Sequence, residues 1–354
     1  MEVALTVIAA LLVFGFLIFI HELGHYITAR IFKVAITEFS IGMGPTLLSY
    51  KSKKTDILYS VRILPIGGYV AMVGEDEESD DPNAFNKKPA WQRFIVTAAG
   101  ATVNIVAGFL ATVILVCMID IGSTTVGGFL TESDFAEVGE VEYIEGSEAQ
   151  GLRAGDTIVA VNGVRVEIYD ELSYEIMRQG YEPVDLTVVR DGEETVLEGI
   201  QFPTLKQQDQ TFGYPDVRVY RVQKDFGSTI GLAFKKAVLI MRSCWESIYD
   251  LVTGRYSIAA VSGPVGISSA IGEAVSAGFA SVLNITILIS INLGFMNLLP
   301  IPALDGGRLI AIIIEMITRK RVPPRVEAAI NGVGLILLLG LSFLIMIKDV
   351  IQLF

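Results

Sequence analysis

Apolar residues dominate four long stretches of the chain, and polar residues gather between them. Residues 3–20 carry no charge over 18 positions, about the minimum for a helix that crosses a bilayer. A second uncharged run, 94–119, stops at Asp120. A third, 274–304, is long enough to span, but Pro300 and Pro302 must break its far end, because proline removes a helix hydrogen bond. A fourth, 328–347, ends at Lys348. Four transmembrane helices are therefore predicted. The run 309–318 is amphipathic at best, interrupted by Glu315. A cleaved leader would need a basic start and a small-residue cleavage site. Here Met1-Glu2 begins the chain and the run leads straight into His21-Glu22-Leu23-Gly24-His25, so it reads as the first span.

The pattern changes between the second and third spans. Residues 127–200 read as short strands separated by turn signals. A Gly-containing turn at Gly151–Gly155 leads to the alternating stretch 157–161 and an Asn162-Gly163 turn. A helix follows over 166–180, then a hairpin of 184–190 and 195–200 turned at Asp191-Gly192. Residues 201–224 are polar and read as a linker. Residues 226–253 are amphipathic, with Lys235, Lys236 and Arg242 among apolar positions, and are expected on the outer membrane face. Between the first two spans, residues 41–45 and 55–73 are rich in glycine and β-branched residues and read as a hairpin.

Composition agrees with this layout. The 354 residues are 52% hydrophobic and only 19% charged, with two Cys and two His. These figures exclude a disordered chain, a disulfide scaffold and a Cys-rich zinc module. The net charge of -12 is concentrated: residues 120–230 hold 22 acidic and 8 basic residues. So acidic a segment repels phosphate backbones, and no nucleic-acid partner is expected. Basic residues cluster in 30–93 and in 319–325 (Arg319, Lys320, Arg321, Arg325), which should place both stretches on the cytoplasmic side. The acidic segment and both termini then lie opposite.

The two histidines define the candidate chemistry. His21 and His25 stand four apart, so on a helix they share one face and can offer two imidazole nitrogens to one metal ion. Glu22 lies beside them, where it can take a proton from water that the ion activates. A shuffled chain of this composition would reproduce the pattern in roughly 4 cases in 10,000. Catalytic zinc usually takes three protein ligands. With no third His, and with Cys117 and Cys244 reading as apolar fillers, the third should be a carboxylate. The best candidate is Asp305, in Asn297-Leu298-Leu299-Pro300-Ile301-Pro302-Ala303-Leu304-Asp305-Gly306-Gly307. Unwound backbone at membrane depth is tolerated only where it lines a cavity. A Pro/Gly loop outside the bilayer with a solvated Asp fits the same residues.

Together, residues 21–25 at the end of the first span and 297–307 near the end of the third resemble the site-2 protease family of intramembrane zinc metalloproteases. They are similar above all to its bacterial regulated-intramembrane-proteolysis type with one PDZ domain. The resemblance covers essentially the whole chain. It implies a polytopic α-helical membrane protein of four transmembrane helices, with a re-entrant β-hairpin and an inserted mixed α/β PDZ domain. It divides the chain into 1–120 (two spans, the motif and the hairpin at about 55–73), 121–202 (an extracytoplasmic PDZ domain), 203–273 (linker and amphipathic segment) and 274–354 (two spans with the Asp305 motif). It implies one Zn2+ ion held by His21, His25 and Asp305, Glu22 as the catalytic base, and Asn297 as a substrate or oxyanion contact.

The expected reaction is hydrolysis of peptide bonds in transmembrane segments of single-span proteins already cut by another protease, such as anti-sigma factors or remnant signal peptides. The expected location is the bacterial cytoplasmic (inner) membrane, with the site towards the cytoplasm. The PDZ domain would capture a new C-terminus or exclude substrates with bulky outer domains, the second being favoured. The hairpin edge would pair with an unwound substrate; an ordinary cytoplasmic hairpin fits the sequence as well. The family usually has Pro where this chain has Ala101, so the second span should be straighter here. Asn104, within that span, should hydrogen-bond another helix or the hairpin. Ser262-Gly263-Pro264-Val265-Gly266-Ile267 also matches a family segment, with no physical role beyond a turn. A membrane adaptor with a structural metal site is the alternative, but such a site needs no base like Glu22. A zinc transporter would want polar residues along more than two spans.

Overall fold

The computed structural model describes residues 2–75, 77–135, 141–143, 145–207, 210–255 and 261–351. The chain divides into two compact units, residues 1–111 with 261–354 and residues 112–260.

The first unit opens with α1 (Glu2–Ile31), so the first apolar run and the His-Glu-x-x-His motif lie on one continuous helix. Lys33, at φ 56, turns the chain out of the helix. It enters an antiparallel pair of long strands, β1 (Ile36–Lys51) and β2 (Leu58–Met72). The hairpin read from 41–45 and 55–73 is therefore longer at its start: 41–45 lies inside the first strand, which begins at 36, and 55–73 is mainly the second strand. The first was obscured because Gly42 and Gly44, at φ 86 and 83, interrupt its alternation. Ser40 stands opposite both Tyr69 and Ser60, so the first half of β1 is flanked by both ends of β2. Ile36, Phe39 and Val70 pack over Ala29, Val34 and Val96. After Pro89 the chain forms α2 (Ala90–Met118), which runs unbroken through Ala101.

The second unit is a mixed α/β fold. In chain order it has β3 (Gly122–Phe129), β4 (Val141–Glu142), β5 (Thr157–Val161), β6 (Val164–Arg165), α3 (Tyr169–Gln179), β7 (Val184–Arg190), β8 (Glu193–Ile200), β9 (Thr204–Gln207), β10 (Gln210–Gly213), β11 (Val217–Arg221) and α4 (Phe226–Val252). The main sheet has the order β11-β3-β5-β7-β8, with β6 against β5, and a small sheet has the order β10-β9-β4. Asn162 and Gly163, and Asp191 and Gly192, all have positive φ, as tight hairpin turns demand. The core joins Ile158, Val161, Leu172, Ile176, Leu186 and Val188, all fully buried.

The linker expected at 201–224 is largely strand instead. Val217 is buried and β11 pairs with β3, so burying alternate side chains outweighs the polar composition. Of the segments 121–202 and 203–273, residues 136–140, 144, 208–209 and 256–260 lie outside the described residues. α4 opens with a capping box in which Asp225 and Ser228 satisfy each other's backbone N–H. Its basic residues, expected at a membrane face, engage carboxylates on α3: Lys236 bonds Asp170 at 2.9 Å and Arg242 pairs with the buried Glu175. Arg178 on α3 in turn grips Asp250 on α4 at 2.9 and 3.0 Å.

The chain returns to the first unit as α5 (Pro264–Ala277), α6 (Phe279–Leu298), α7 (Asp305–Thr318) and α8 (Pro324–Ile351). The third apolar run, 274–304, is thus divided: Gly278, at φ 106, separates α5 from α6, and Pro300 lies beyond the end of α6. Residues 309–318 belong to a full helix whose Glu315 is tied to the buried Arg93. Among the described residues, four helices are long and apolar enough to cross a membrane: Leu5–Ile31, Ala90–Met118, Phe279–Leu298 and Pro324–Ile351. The segment 262–267, read only as a turn, is the N-terminus of α5. There the Gly266 N–H donates to the Asp349 carboxylate at 3.0 Å, an anion on the positive end of a helix.

In the second unit, Asp156 is 1% exposed and accepts two hydrogen bonds from Arg190, both 2.7 Å, and one from the Arg153 N–H at 2.8 Å. The Arg190 bonds hold its pKa below the ordinary 3.8. A depressed carboxylate contributes stability that is present above its unfolded pKa and is lost as pH falls through the folded value. Asp156→Asn should therefore destabilise this unit at pH 7, because it removes the buried charge that answers Arg190 and leaves that guanidinium the Gly151 carbonyl. The gap should close only below about pH 4. Thermal unfolding of wild type and variant across pH checks both.

Candidate metal centre

His21 and His25 lie one turn apart on α1, and their rings meet edge to face with centroids 4.9 Å apart. Their Nε2 atoms are 3.2 Å apart. Asp305, the first residue of α7, brings its Oδ2 to 3.2 Å from His21 Nε2 and 3.4 Å from His25 Nε2. Among the described residues, these three form the group of His, Cys, Asp and Glu side chains able to hold a metal ion.

A metal fits this triangle. Tetrahedral zinc with ligand bonds of about 2.0–2.2 Å would space its ligand atoms by about 3.3–3.6 Å, close to the three separations seen. The imidazole tautomer agrees: His25 Nδ1 donates to the Val96 carbonyl at 2.8 Å, which turns the Nε2 lone pair inward. Asp305 Oδ2 is buried with no hydrogen-bond partner in protein. A buried carboxylate oxygen facing imidazole nitrogens at contact distance needs a cation to offset its desolvation.

The space for an ion comes from α2. A Cβ on Gly100 would overlap His25 Nε2 and lie 2.7 Å from His21 Nε2. A Cβ on Gly24 would come 2.6 Å from the Ala99 carbonyl oxygen. Two glycines thus let α1 and α2 approach until the α2 backbone roofs the imidazoles. Gly294 on α6 similarly faces the Ala101 carbonyl, where a Cβ would lie 2.6 Å away.

Asp305 is delivered by broken backbone. Ala303 adopts φ 71, and its N–H is held by Asn331 Oδ1 of α8 at 3.2 Å. A Cβ on Gly306 would overlap the Leu299 carbonyl oxygen. Three residues past Asp305, Arg308 pairs with Glu75, just beyond β2.

A cavity of about 250 Å³ is lined by the triad together with Glu22, Tyr69, Val70, Thr97 and Arg308, among others. Glu22 points to β2, where Gly68 leaves room: a Cβ there would stand 3.1 Å from Glu22 Cγ. Of the five residues singled out from the sequence, His21, Glu22, His25 and Asp305 come together here. Asn297 stands half-buried on the last turn of α6 and is not among the lining residues. Sequence reasoning missed Gly100, the Val96 carbonyl and the Glu75–Arg308 pair. The signal for Gly100 was a glycine inside an otherwise good helix former, which marks a close approach. Nothing local marked the other two.

Comparison with known proteins agrees with this geometry. Residues 9–341 match the model of peptidase family M50. A protein of Clostridium acetobutylicum, named as a candidate zinc metalloprotease, is 36% identical over 347 residues, covering 98% of this chain and 97% of that one. A Fusobacterium nucleatum protein so named is 34% identical over 353 residues, covering 99% and 100%. The zinc metalloprotease RasP of Shouchella clausii is 29% identical over 429 residues, covering 99% of each. With its His-Glu-x-x-His helix, four membrane-length helices and a model match over most of its length, the chain belongs to peptidase family M50, the site-2 protease family of zinc metalloproteases.

Proposed function

We propose that this protein hydrolyses peptide bonds within transmembrane segments of single-span proteins that another protease has already cut, such as anti-sigma factors or remnant signal peptides. The observation that carries this reading is the convergence of His21, His25, Asp305 and Glu22 on one cavity at the end of an apolar helix. In this reading one zinc ion is held by His21 Nε2, His25 Nε2 and Asp305. Zinc so held supplies Lewis acidity, lowering the pKa of water and polarising a carbonyl. Glu22 takes the proton from the attacking water and returns it to the leaving amine nitrogen, as a base of this motif does. The Val96 carbonyl keeps His25 in its ligating tautomer. Asn297 as an oxyanion contact draws no support from the cavity lining.

A helix hides its peptide bonds, so the substrate must unwind. Val70 of β2 lines the cavity beside Glu22, and an extended segment added along this strand would bring a peptide bond to the base. Leu47, Leu48 and Tyr50 of the hairpin are all more than 60% exposed, which supports a re-entrant hairpin dipping into lipid. The basic stretches 30–93 and 319–325 support a bacterial cytoplasmic membrane location with the site towards the cytoplasm.

The acidic α/β unit is then an extracytoplasmic PDZ domain. Its strand order around α3 supports that reading, as do the Asn162-Gly163 and Asp191-Gly192 turns. α3 is engaged by α4 through ion pairs and by β10, where a Cβ on Gly213 would overlap the Ile176 carbonyl. A peptide adding beside α3 would have to displace β10, which favours a size filter over capture of a free C-terminus.

Purified protein in detergent should bind one zinc and cut a single-span peptide. Glu22→Gln should keep the zinc and lose activity by about 10²–10⁴-fold. If Glu22→Gln cuts as fast as wild type, the mechanism fails and a structural metal site in an adaptor becomes the better account. Asp305→Asn should weaken zinc binding by more than about 100-fold, measured by chelator competition. Gly100→Ala should lose zinc through a methyl that fills the ion's place, while purifying as a folded, monodisperse protein.

A further inference from the structure

His25 has a second hydrogen-bond partner that fixes its tautomer; the corresponding partner of His21 is a side chain. Asn104, fully buried in the middle of α2, places its amide 3.3 Å from His21 Nδ1. Its own backbone carbonyl accepts from Ser290 Oγ of α6 at 2.8 Å, so α2 is anchored at this residue. A buried amide in an apolar bundle costs free energy for each group left unbonded.

The two amide orientations have different consequences. With the nitrogen towards His21, Nδ1 must be the acceptor. Nε2 then carries the hydrogen and has no lone pair for an ion, while the Asn104 oxygen is buried without a partner. With the oxygen towards His21, Nδ1–H donates and Nε2 is free. The two orientations have the same shape, so the hydrogen-bonding chemistry decides between them. The spacing favours the second. His21 Nε2 lies 3.2 Å from both His25 Nε2 and Asp305 Oδ2, the separation of ligand atoms around one ion, and an ion there needs the Nε2 lone pair.

We propose that Asn104 is a positioning residue: its side-chain carbonyl accepts the Nδ1–H of His21 and so holds the His21 Nε2 lone pair towards Asp305. This rests on the reading of His21, His25 and Asp305 as the zinc ligands. Asn104 touches neither ion nor substrate. It acts through His21, as the Val96 carbonyl acts through His25. The two ligands of α1 are then both set by α2, one by its backbone and one by a side chain two turns further on.

The test measures zinc affinity rather than turnover. Full-length protein in detergent is stripped with chelator and titrated with zinc against a chromophoric competitor, and cobalt absorption reports the ligand geometry. Asn104→Leu, which keeps the branched shape and removes the acceptor, should weaken zinc binding by about 10–100-fold and shift the cobalt bands. Asn104→Asp, which can only accept, should bind zinc within about 3-fold of wild type or more tightly, because carboxylates commonly orient ligating histidines. Wild-type affinity in Asn104→Leu overturns the proposal. So does a loss in Asn104→Asp as large as in Asn104→Leu, since that would mean the amide N–H is what His21 needs. If Asn104→Leu does not fold, Asn104→Asp decides alone. Wild-type protein that takes up no zinc overturns the metal site itself and the proposal with it; an intact wild type beside an indifferent Asn104→Leu overturns only the role of Asn104.

Discussion

The candidate metal centre depends on one close approach. The backbone of α2 at Gly100 lies directly over the two imidazoles of α1, at a distance where any side chain would occupy the site. Lipid gives packed helices no hydrophobic reason to associate, so they hold together where small residues let backbones touch and where polar groups find partners. Gly24 against Ala99, Gly294 against Ala101 and Ser290 against the Asn104 carbonyl are such contacts. They bring α1, α2 and α6 to one depth, and the imidazoles take their positions from that packing.

The third ligand candidate is handled differently. Asp305 stands at the start of a helix that follows unwound chain, and irregular backbone inside a membrane protein must find bonds within the protein. It finds them at the Asn331 side chain for Ala303, and at close packing of Gly306 on the Leu299 carbonyl. The Glu75–Arg308 pair ties the same turn to the strand beside Glu22. The Asp305 carboxylate, Glu22 and the strand next to them are thereby linked through protein contacts, which keeps the two carboxylates in register without a rigid helix under Asp305.

The α/β unit solves a separate problem. Its strands bury a core of branched aliphatic residues, while its excess of carboxylates stays solvated or is paired. Where carboxylates are buried they are answered individually: Asp156 by Arg190, Asp250 by Arg178, Glu175 by Arg242, and Asp216 by the Ser147 N–H and hydroxyl, both at 2.7 Å. Burial pushes the pKa of Asp216 and Glu175 up, whereas the guanidinium of Arg190 pulls that of Asp156 down. A burial-raised carboxylate contributes less stability as pH rises, and a depressed one contributes less as pH falls.

What the sequence determined by itself was local or compositional. Four uncharged runs required four membrane-length helices, since their backbone groups have no other partner in lipid. Two histidines four apart required one helix face, and Asn162-Gly163 and Asp191-Gly192 required tight turns. These features need only a few neighbouring residues to be specified. The full length of the first hairpin strand, the strands at 204–221 and the helix start at Asp305 were not legible, because glycines or polar residues hid a pattern that only a distant partner completes. The tertiary structure alone decided that Gly100 opens the ion's place and that Asn104 reaches His21, and it brings Asp305, already the best carboxylate candidate in the sequence, to both imidazoles. Each of these is a contact between residues some 75 to 285 positions apart. Such contacts follow from how closely helices pack, which no stretch of sequence encodes on its own.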